Sequence, residues 1–138
     1  MKIQKLATTS CICGRKHQIP IREIEIVPCL LSQLDQRLAS LGKWEKILLV
    51  ADENTWPVAG FQVEQALAGK YSLEKVILPG GFKPDEASVD TLLHSSAIAP
   101  DLMLAVGSGT ITDLVRYIAA NKWDIPFISI PTAPSMDG

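Results

Sequence analysis

A turn bracketed by glycines carries the strongest chemical signal in the chain. Residues Ala105-Val106-Gly107-Ser108-Gly109-Thr110-Ile111-Thr112-Asp113 run from an apolar stretch through two glycines straight into a helical pattern. Glycine admits positive φ and lets a ligand approach the backbone closely. The first turn of the helix leaves N–H groups unpaired at the positive end of its dipole. Together these features make an anion site suited to a pyrophosphate, with Ser108 and Thr110 able to add hydroxyl donors. The same residues also describe a plain strand-to-helix corner with Ser108 as its cap, and Gly-x-Gly alone does not decide between the two. The third glycine of the usual dinucleotide fingerprint is absent.

Three other groups invite a chemical reading. Asp52 directly follows the apolar run Ile47 to Val50. There it can accept hydrogen bonds from a ribose, or cap a helix that begins near Thr55. Thr132, Ser135 and Asp137 follow another apolar run and place two hydroxyls and a carboxylate on one proline-ordered loop. Such hydroxyls serve a ligand or bond their own backbone. Cys11-x-Cys13-Gly14-x-x-His17 suggests zinc, but the cysteines are too close for a usual knuckle and no fourth ligand follows. Cys29 and His94 read as core or surface fillers.

The elements needed to position these residues alternate along the chain. Arg22 to Val27 shows period-2 alternation and predicts a strand, ended by Pro28. Leu30, Leu31, Leu34, Leu38 and Leu41 share a helical face, with Gly42 at its cap. Lys46 to Ala51, Val76 to Leu78, Leu102 to Val106 and Pro126 to Ile130 are short apolar runs of the kind that form buried parallel strands. Helices are predicted between them: to about Leu67, from Pro84-Asp85-Glu86 with Val89, Leu92 and Leu93 inward, and after Gly109. The last has Ile111, Leu114, Val115, Ile118 and Ala119 on one face. Lys2 to Thr9 and His17 to Ile21 suggest an edge hairpin within residues 1–21. The expectation is an α/β fold, a Rossmann-like doubly wound parallel sheet with helices on both faces.

Composition narrows the classes. The chain has 138 residues, 47% of them hydrophobic, with 13 Lys and Arg against 15 Asp and Glu. That is the make-up of one globular domain with a core of its own. A net charge of −2 argues against a polybasic nucleic-acid or membrane-surface protein. No apolar run reaches spanning length and no signal peptide is visible. Three cysteines, an odd number, favour a reducing cytoplasm over a disulfide framework. The final residues run from an apolar strand into a loop that looks like part of a site, so the chain is expected to be the first domain of a longer enzyme.

Three segments resemble one family. They are Leu49-Val50-Ala51-Asp52-Glu53-Asn54-Thr55, Val106 to Leu114, and Pro131-Thr132-Ala133-Pro134-Ser135-Met136-Asp137-Gly138. They are similar to the sn-glycerol-1-phosphate dehydrogenases of the bacterial type. Those enzymes belong to a superfamily with iron-containing alcohol dehydrogenases, glycerol dehydrogenases and dehydroquinate synthases. The resemblance implies a cytoplasmic NAD- or NADP-dependent enzyme that reduces dihydroxyacetone phosphate to sn-glycerol 1-phosphate, a homo-oligomer at full length. It implies that residues 1–138 are its dinucleotide-binding domain. The pyrophosphate would lie on Gly107, Ser108, Gly109, Thr110, Thr112 and Asp113, the adenosine ribose near Asp52, and the nicotinamide side near Thr132 and Ser135. Asp137 would bind substrate. A catalytic divalent metal (zinc, nickel or iron) would be held by one Asp and two His of a helical second domain, with no ligand in residues 1–138. Three readings compete. One is a glycerol dehydrogenase or dehydroquinate-synthase-like enzyme, one a stand-alone nucleotide-binding module without catalysis, and one a small zinc domain on Cys11, Cys13 and His17.

Overall fold

Four apolar runs form the strands β1 (Lys46–Asp52), β2 (Ser72–Leu78), β3 (Leu102–Gly107) and β4 (Phe127–Pro131). Between and before them lie helices α1 (Leu34–Leu41), α2 (Phe61–Leu67), α3 (Glu86–Ser95) and α4 (Gly109–Ile118). The computed structural model describes residues 12–14, 20–96 and 99–133. By compactness the chain divides into two units, residues 1–30 and 31–138. All four strands and all four helices belong to the second.

Every pairing in the sheet is parallel and the strand order is β2-β1-β3-β4. Side chains alternate between the faces of a strand, so each strand feeds two cores. Leu48 and Val50 of β1 with Met103 and Ala105 of β3 pack under α3 and α4, against Leu92, Ile111, Leu114, Val115 and Ile118. Ile47, Leu49 and Ala51 with Leu102, Leu104 and Val106 pack on the other face, against Leu34 and Leu38 of α1 and Val63 and Leu67 of α2. Residues buried on both faces explain why β1 and β3 read as unbroken apolar runs. Each large side chain so buried contributes about 1.5–3 kcal/mol relative to exposure. Among the described residues strand β4 has a neighbour on one side only, and its residues from Phe127 to Ile130 are half-buried.

The helix boundaries follow local rules. Asp85 caps α3, its Oδ1 accepting the Ser88 N–H at 3.0 Å. Gly42 ends α1, and its N–H bonds the Leu38 carbonyl. One π-helical turn, Trp56–Gly60, leads into α2, and a second, Ala119–Trp123, closes α4. One expected element is missing. Arg22 to Val27 forms no strand, and Ile26 is exposed. Alternation is a local pattern, and strand formation also depends on pairing geometry that spacing does not specify. The sheet draws its four strands from elsewhere. The hairpin expected in residues 1–21 falls almost wholly outside the described residues. No helix among the described residues is long and apolar enough to cross a membrane.

Strand order and helix placement together locate a switch point. From β1 the chain passes to β2 on one side, with α2 on one face. From β3 it passes to β4 on the other side, with α4 on the opposite face. Crossovers of a single hand require this change of face when the winding direction reverses. The connections leaving β1 and β3 therefore diverge. Doubly wound sheets take their ligands beyond the carboxyl ends of the strands at such a point.

Candidate functional site

At the carboxyl end of β1, Asp52 is only 7% exposed. Its Oδ1 accepts the N–H groups of Asn54 at 2.9 Å and Thr55 at 2.8 Å. The carboxylate thus closes the turn behind β1, as a capping residue does. Its Oδ2 takes no part in those bonds. Thr55 is 8% exposed, and its hydroxyl donates to the Val106 carbonyl on β3 at 2.9 Å. The same Oγ1 accepts the Asp52 N–H at 3.1 Å. Beside this turn, Glu53 bonds the β2 side: its N–H donates to Leu78, and its Oε2 accepts the Gly80 N–H at 3.0 Å.

At the carboxyl end of β3 the two glycines act differently. Neither has the positive φ expected of it. Gly107 is required by packing. A Cβ there would lie 2.7 Å from Cγ1 of Ile111 and 3.4 Å from the Thr55 hydroxyl. The bare backbone lets α4 start directly against β3. A Cβ on Gly109, by contrast, would meet nothing within 4 Å. Gly109 opens α4 toward empty space, and a side chain there would occupy the volume in front of the helix start. Ser108 sits at the cap position with extended backbone, yet its side chain makes no capping bond. The first-turn N–H groups of an α-helix have no intrahelical partner. At α4 they also lack the side-chain oxygen that α3 has in Asp85. Thr110 is half-buried in this first turn.

The remaining expected residues divide. Thr132 lies beside the glycine turn, its N–H donating to the Gly107 carbonyl at 3.1 Å. Thr112 is 2% exposed and its hydroxyl meets that of Ser129 on β4 at 3.1 Å, which ties α4 to the sheet. Asp113 is ion-paired with Arg116 at 2.7 Å and lines a groove of about 740 Å³ between α3 and α4, with Asp85, Asp90 and Tyr117. Ser135 and Asp137 lie outside the described residues, as do Cys11 and His17. Cys13 and Cys29 are exposed, and the His94 ring meets the Asp90 carbonyl on the surface of α3. The structure therefore brings together Asp52, Gly107, Ser108, Gly109, Thr110 and Thr132 at the carboxyl ends of β1 and β3, and engages Thr112 and Asp113 in other contacts. Sequence reasoning missed Thr55. The signal available was a threonine three residues after an acid at a strand end, a spacing at which the two side chains can bond each other's backbone.

A sequence profile of the iron-containing alcohol dehydrogenases matches residues 25–138. The chain is 40% identical to the NAD(P)+ glycerol-1-phosphate dehydrogenase of Halalkalibacterium halodurans, an alignment covering all of this chain and 36% of that protein. It is 43% identical to the enzyme of the same name from Bacillus subtilis over 68% of this chain and 25% of the relative. Among solved structures, glycerol dehydrogenase from Schizosaccharomyces pombe superposes with a TM-score of 0.63 at 20% identity, over 75% of this chain and 25% of that one. ValA, a 2-epi-5-epi-valiolone synthase from Streptomyces hygroscopicus with NAD+ and Zn2+ bound, gives 0.52 at 22% identity, over 85% and 35%. Such structural likeness speaks to the fold alone. The chain spans about a third or less of the length of these curated relatives.

Proposed function

This chain belongs to the iron-containing alcohol dehydrogenase family, and from that premise we propose that it is the dinucleotide-binding part of an NAD(P)-dependent glycerol-1-phosphate dehydrogenase. The reaction is reversible reduction of dihydroxyacetone phosphate to sn-glycerol 1-phosphate. The observation that carries the reading is the uncapped start of α4, behind a glycine with open space before it, at the switch point between β1 and β3. An anion placed there meets unpaired N–H groups and the positive end of a helix dipole.

In this reading the first-turn N–H groups of α4 hold the pyrophosphate, and Ser108 and Thr110 add hydroxyl donors. Asp52 faces the adenosine ribose with the oxygen its turn leaves over, and disfavours a 2′-phosphate by like charge. Thr132, on the β4 side of the turn, serves the nicotinamide end together with Ser135. Asp137 orients a substrate hydroxyl. The bound dinucleotide supplies or accepts the hydride, and the protein supplies position and electrostatics. Thr112 and Asp113 act on the fold rather than on the cofactor, since their side chains are engaged with Ser129 and Arg116. No group of three His, Cys, Asp or Glu side chains able to hold a metal exists among the described residues.

The test is a fluorescence titration of the wild-type chain and of Gly109→Val with NADH and NADPH. The wild type should bind at least one of them. The valine should fill the space before the helix start and abolish binding, with an unchanged melting temperature because no positive φ is violated. A variant that binds as the wild type does reduces the turn to a structural corner.

A further inference from the structure

The hydroxyl of Thr55 stands where a bond between β1 and β3 would otherwise form. The pairs Ile47↔Leu102, Leu48↔Met103, Leu49↔Leu104 and Val50↔Ala105 define a constant register, and the pairing stops there. Continuing that register one step sets the N–H of Asp52 against the carbonyl of Val106, as the next bond of the parallel ladder. The direction is right: the neighbouring Glu53 N–H points the other way, to Leu78 of β2, and N–H groups of successive strand residues point to opposite sides. Instead of the direct bond, the Asp52 N–H donates to Thr55 Oγ1 at 3.1 Å, and that hydroxyl donates to Val106 at 2.9 Å. The 3.5 Å separation from the Asp52 carbonyl is the poorer alternative for the single hydroxyl proton.

Both polar groups are satisfied, but through an inserted oxygen. The two strands are thus joined there through one oxygen rather than by a direct bond. Gly107, the next residue on β3, would bring a Cβ within 3.4 Å of the same hydroxyl. The inserted group thus abuts the backbone that carries the glycine turn.

We infer that Thr55 is a positioning residue that wedges β1 and β3 open at the switch point and so sets the approach of a dinucleotide to Gly107 and the start of α4. The ligand half of this inference rests on the nucleotide reading above. The wedge itself rests only on register and hydrogen bonds.

The two halves are tested separately on the chain as it is. Thr55→Ala removes the wedge, and Thr55→Ser keeps the hydroxyl. A crystal structure of Thr55→Ala should show the Asp52 N–H bonded directly to Val106. A water in the hydroxyl's place, with the strands still apart, overturns the wedge. In titrations with NADH and NADPH, on samples whose thermal melts show them folded, Thr55→Ala should lose about tenfold or more in affinity through displaced contacts. Thr55→Ser should stay near the wild type. Equal affinity in all three proteins overturns the positioning role while leaving the nucleotide reading intact. A wild-type chain that binds neither dinucleotide overturns the ligand half together with that reading, and the alanine structure still decides the wedge.

Discussion

The two ends of the sheet each carry an aspartate beside β1 and β3, and the two are used in opposite ways. At the amino end, Asp101 precedes β3, and its Oδ2 accepts the N–H groups of both Glu45 and Lys46, each at 2.9 Å. Its own N–H bonds the Lys46 carbonyl, and Ser72 bonds Glu45. The carboxylate reaches across from one strand to the next and ties them together. A small pocket of about 50 Å³ lies there, lined by Lys46, Ser72, Glu74 and Pro100 among others. At the carboxyl end, Asp52 bonds its own turn, a threonine hydroxyl separates the strands, and the helix that follows β3 starts uncapped. Cross-strand bonds leave little for a ligand to do. Bonds kept within one turn leave the neighbouring backbone groups available to it. The difference lies in polar pairing, since the apolar residues beneath both ends are equally buried.

That last statement can be broken most forcefully at Gly107. A side chain there would press on Ile111 Cγ1 at 2.7 Å and on its Cβ at 3.1 Å, and neither can move without shifting the start of α4. Overpacking a filled core typically costs 1–3 kcal/mol, and sometimes more. Gly107→Val should therefore destabilise the fold by about 3 kcal/mol, against a gain of only about 0.4–1 kcal/mol from a stiffer unfolded chain. Urea denaturation measures it. Stability near that of the wild type would mean that the carboxyl end is loosely packed after all.

The glycine turn shows what was legible in the sequence and what was not. Its position, the strand before it and the helix after it all follow from spacing, because apolar runs of this length admit few alternatives in a parallel sheet. The reason for the glycines does not follow. Positive φ was the local expectation, but the structure uses Gly107 for close packing against Ile111 and Gly109 for open space, and both depend on neighbours that spacing does not specify. Thr55 was hidden for a similar reason. Its partner Val106 lies far along the chain, and the bond exists only once β1 and β3 have found their register. The segment from Arg22 to Val27 failed in the other direction. Its alternation is real, but the segment is not one of the four strands of the sheet. Asp52 carried both of its readings from the start. The capping role is realised in the bonds to Asn54 and Thr55, which occupy Oδ1.

Asp52→Asn sharpens the contrast without disturbing the turn. Asparagine keeps the Oδ1 acceptor and caps about as well as aspartate. Stability should change by no more than a few tenths of a kcal/mol. Removing the charge relieves repulsion of a 2′-phosphate, a like-charge term of about 1 kcal/mol at contact distance under water-like screening. The NADPH-to-NADH affinity ratio should rise about fivefold. An unchanged ratio, measured by parallel titrations, would confine Asp52 to its own turn and make the two ends of the sheet more alike.

The smallest effect belongs to the amino end and appears only in acid. The N–H groups of Lys46 and Glu45 hold the Asp101 carboxyl below its usual value of 3.8, against a partly opposing desolvation. A depressed folded-state pKa gives stability that is fully present above the unfolded value and is lost as pH falls through the folded one. In Asp101→Asn the side-chain oxygen still accepts both N–H groups, but the charge that strengthens those bonds is gone. The variant should be slightly less stable than the wild type near neutrality. The gap should narrow once the pH drops below 3.8 and close as Asp101 itself becomes protonated. Asp35, held low chiefly by Lys70, and Asp85, held low chiefly by the Ser88 N–H, titrate in both proteins and cancel from the difference. Thermal melts of the pair at stepped pH measure it. A gap that stays constant into strong acid would mean that Asp101 acts through shape alone. The amino end would then be tied by its backbone bonds, with no share for the carboxylate's charge.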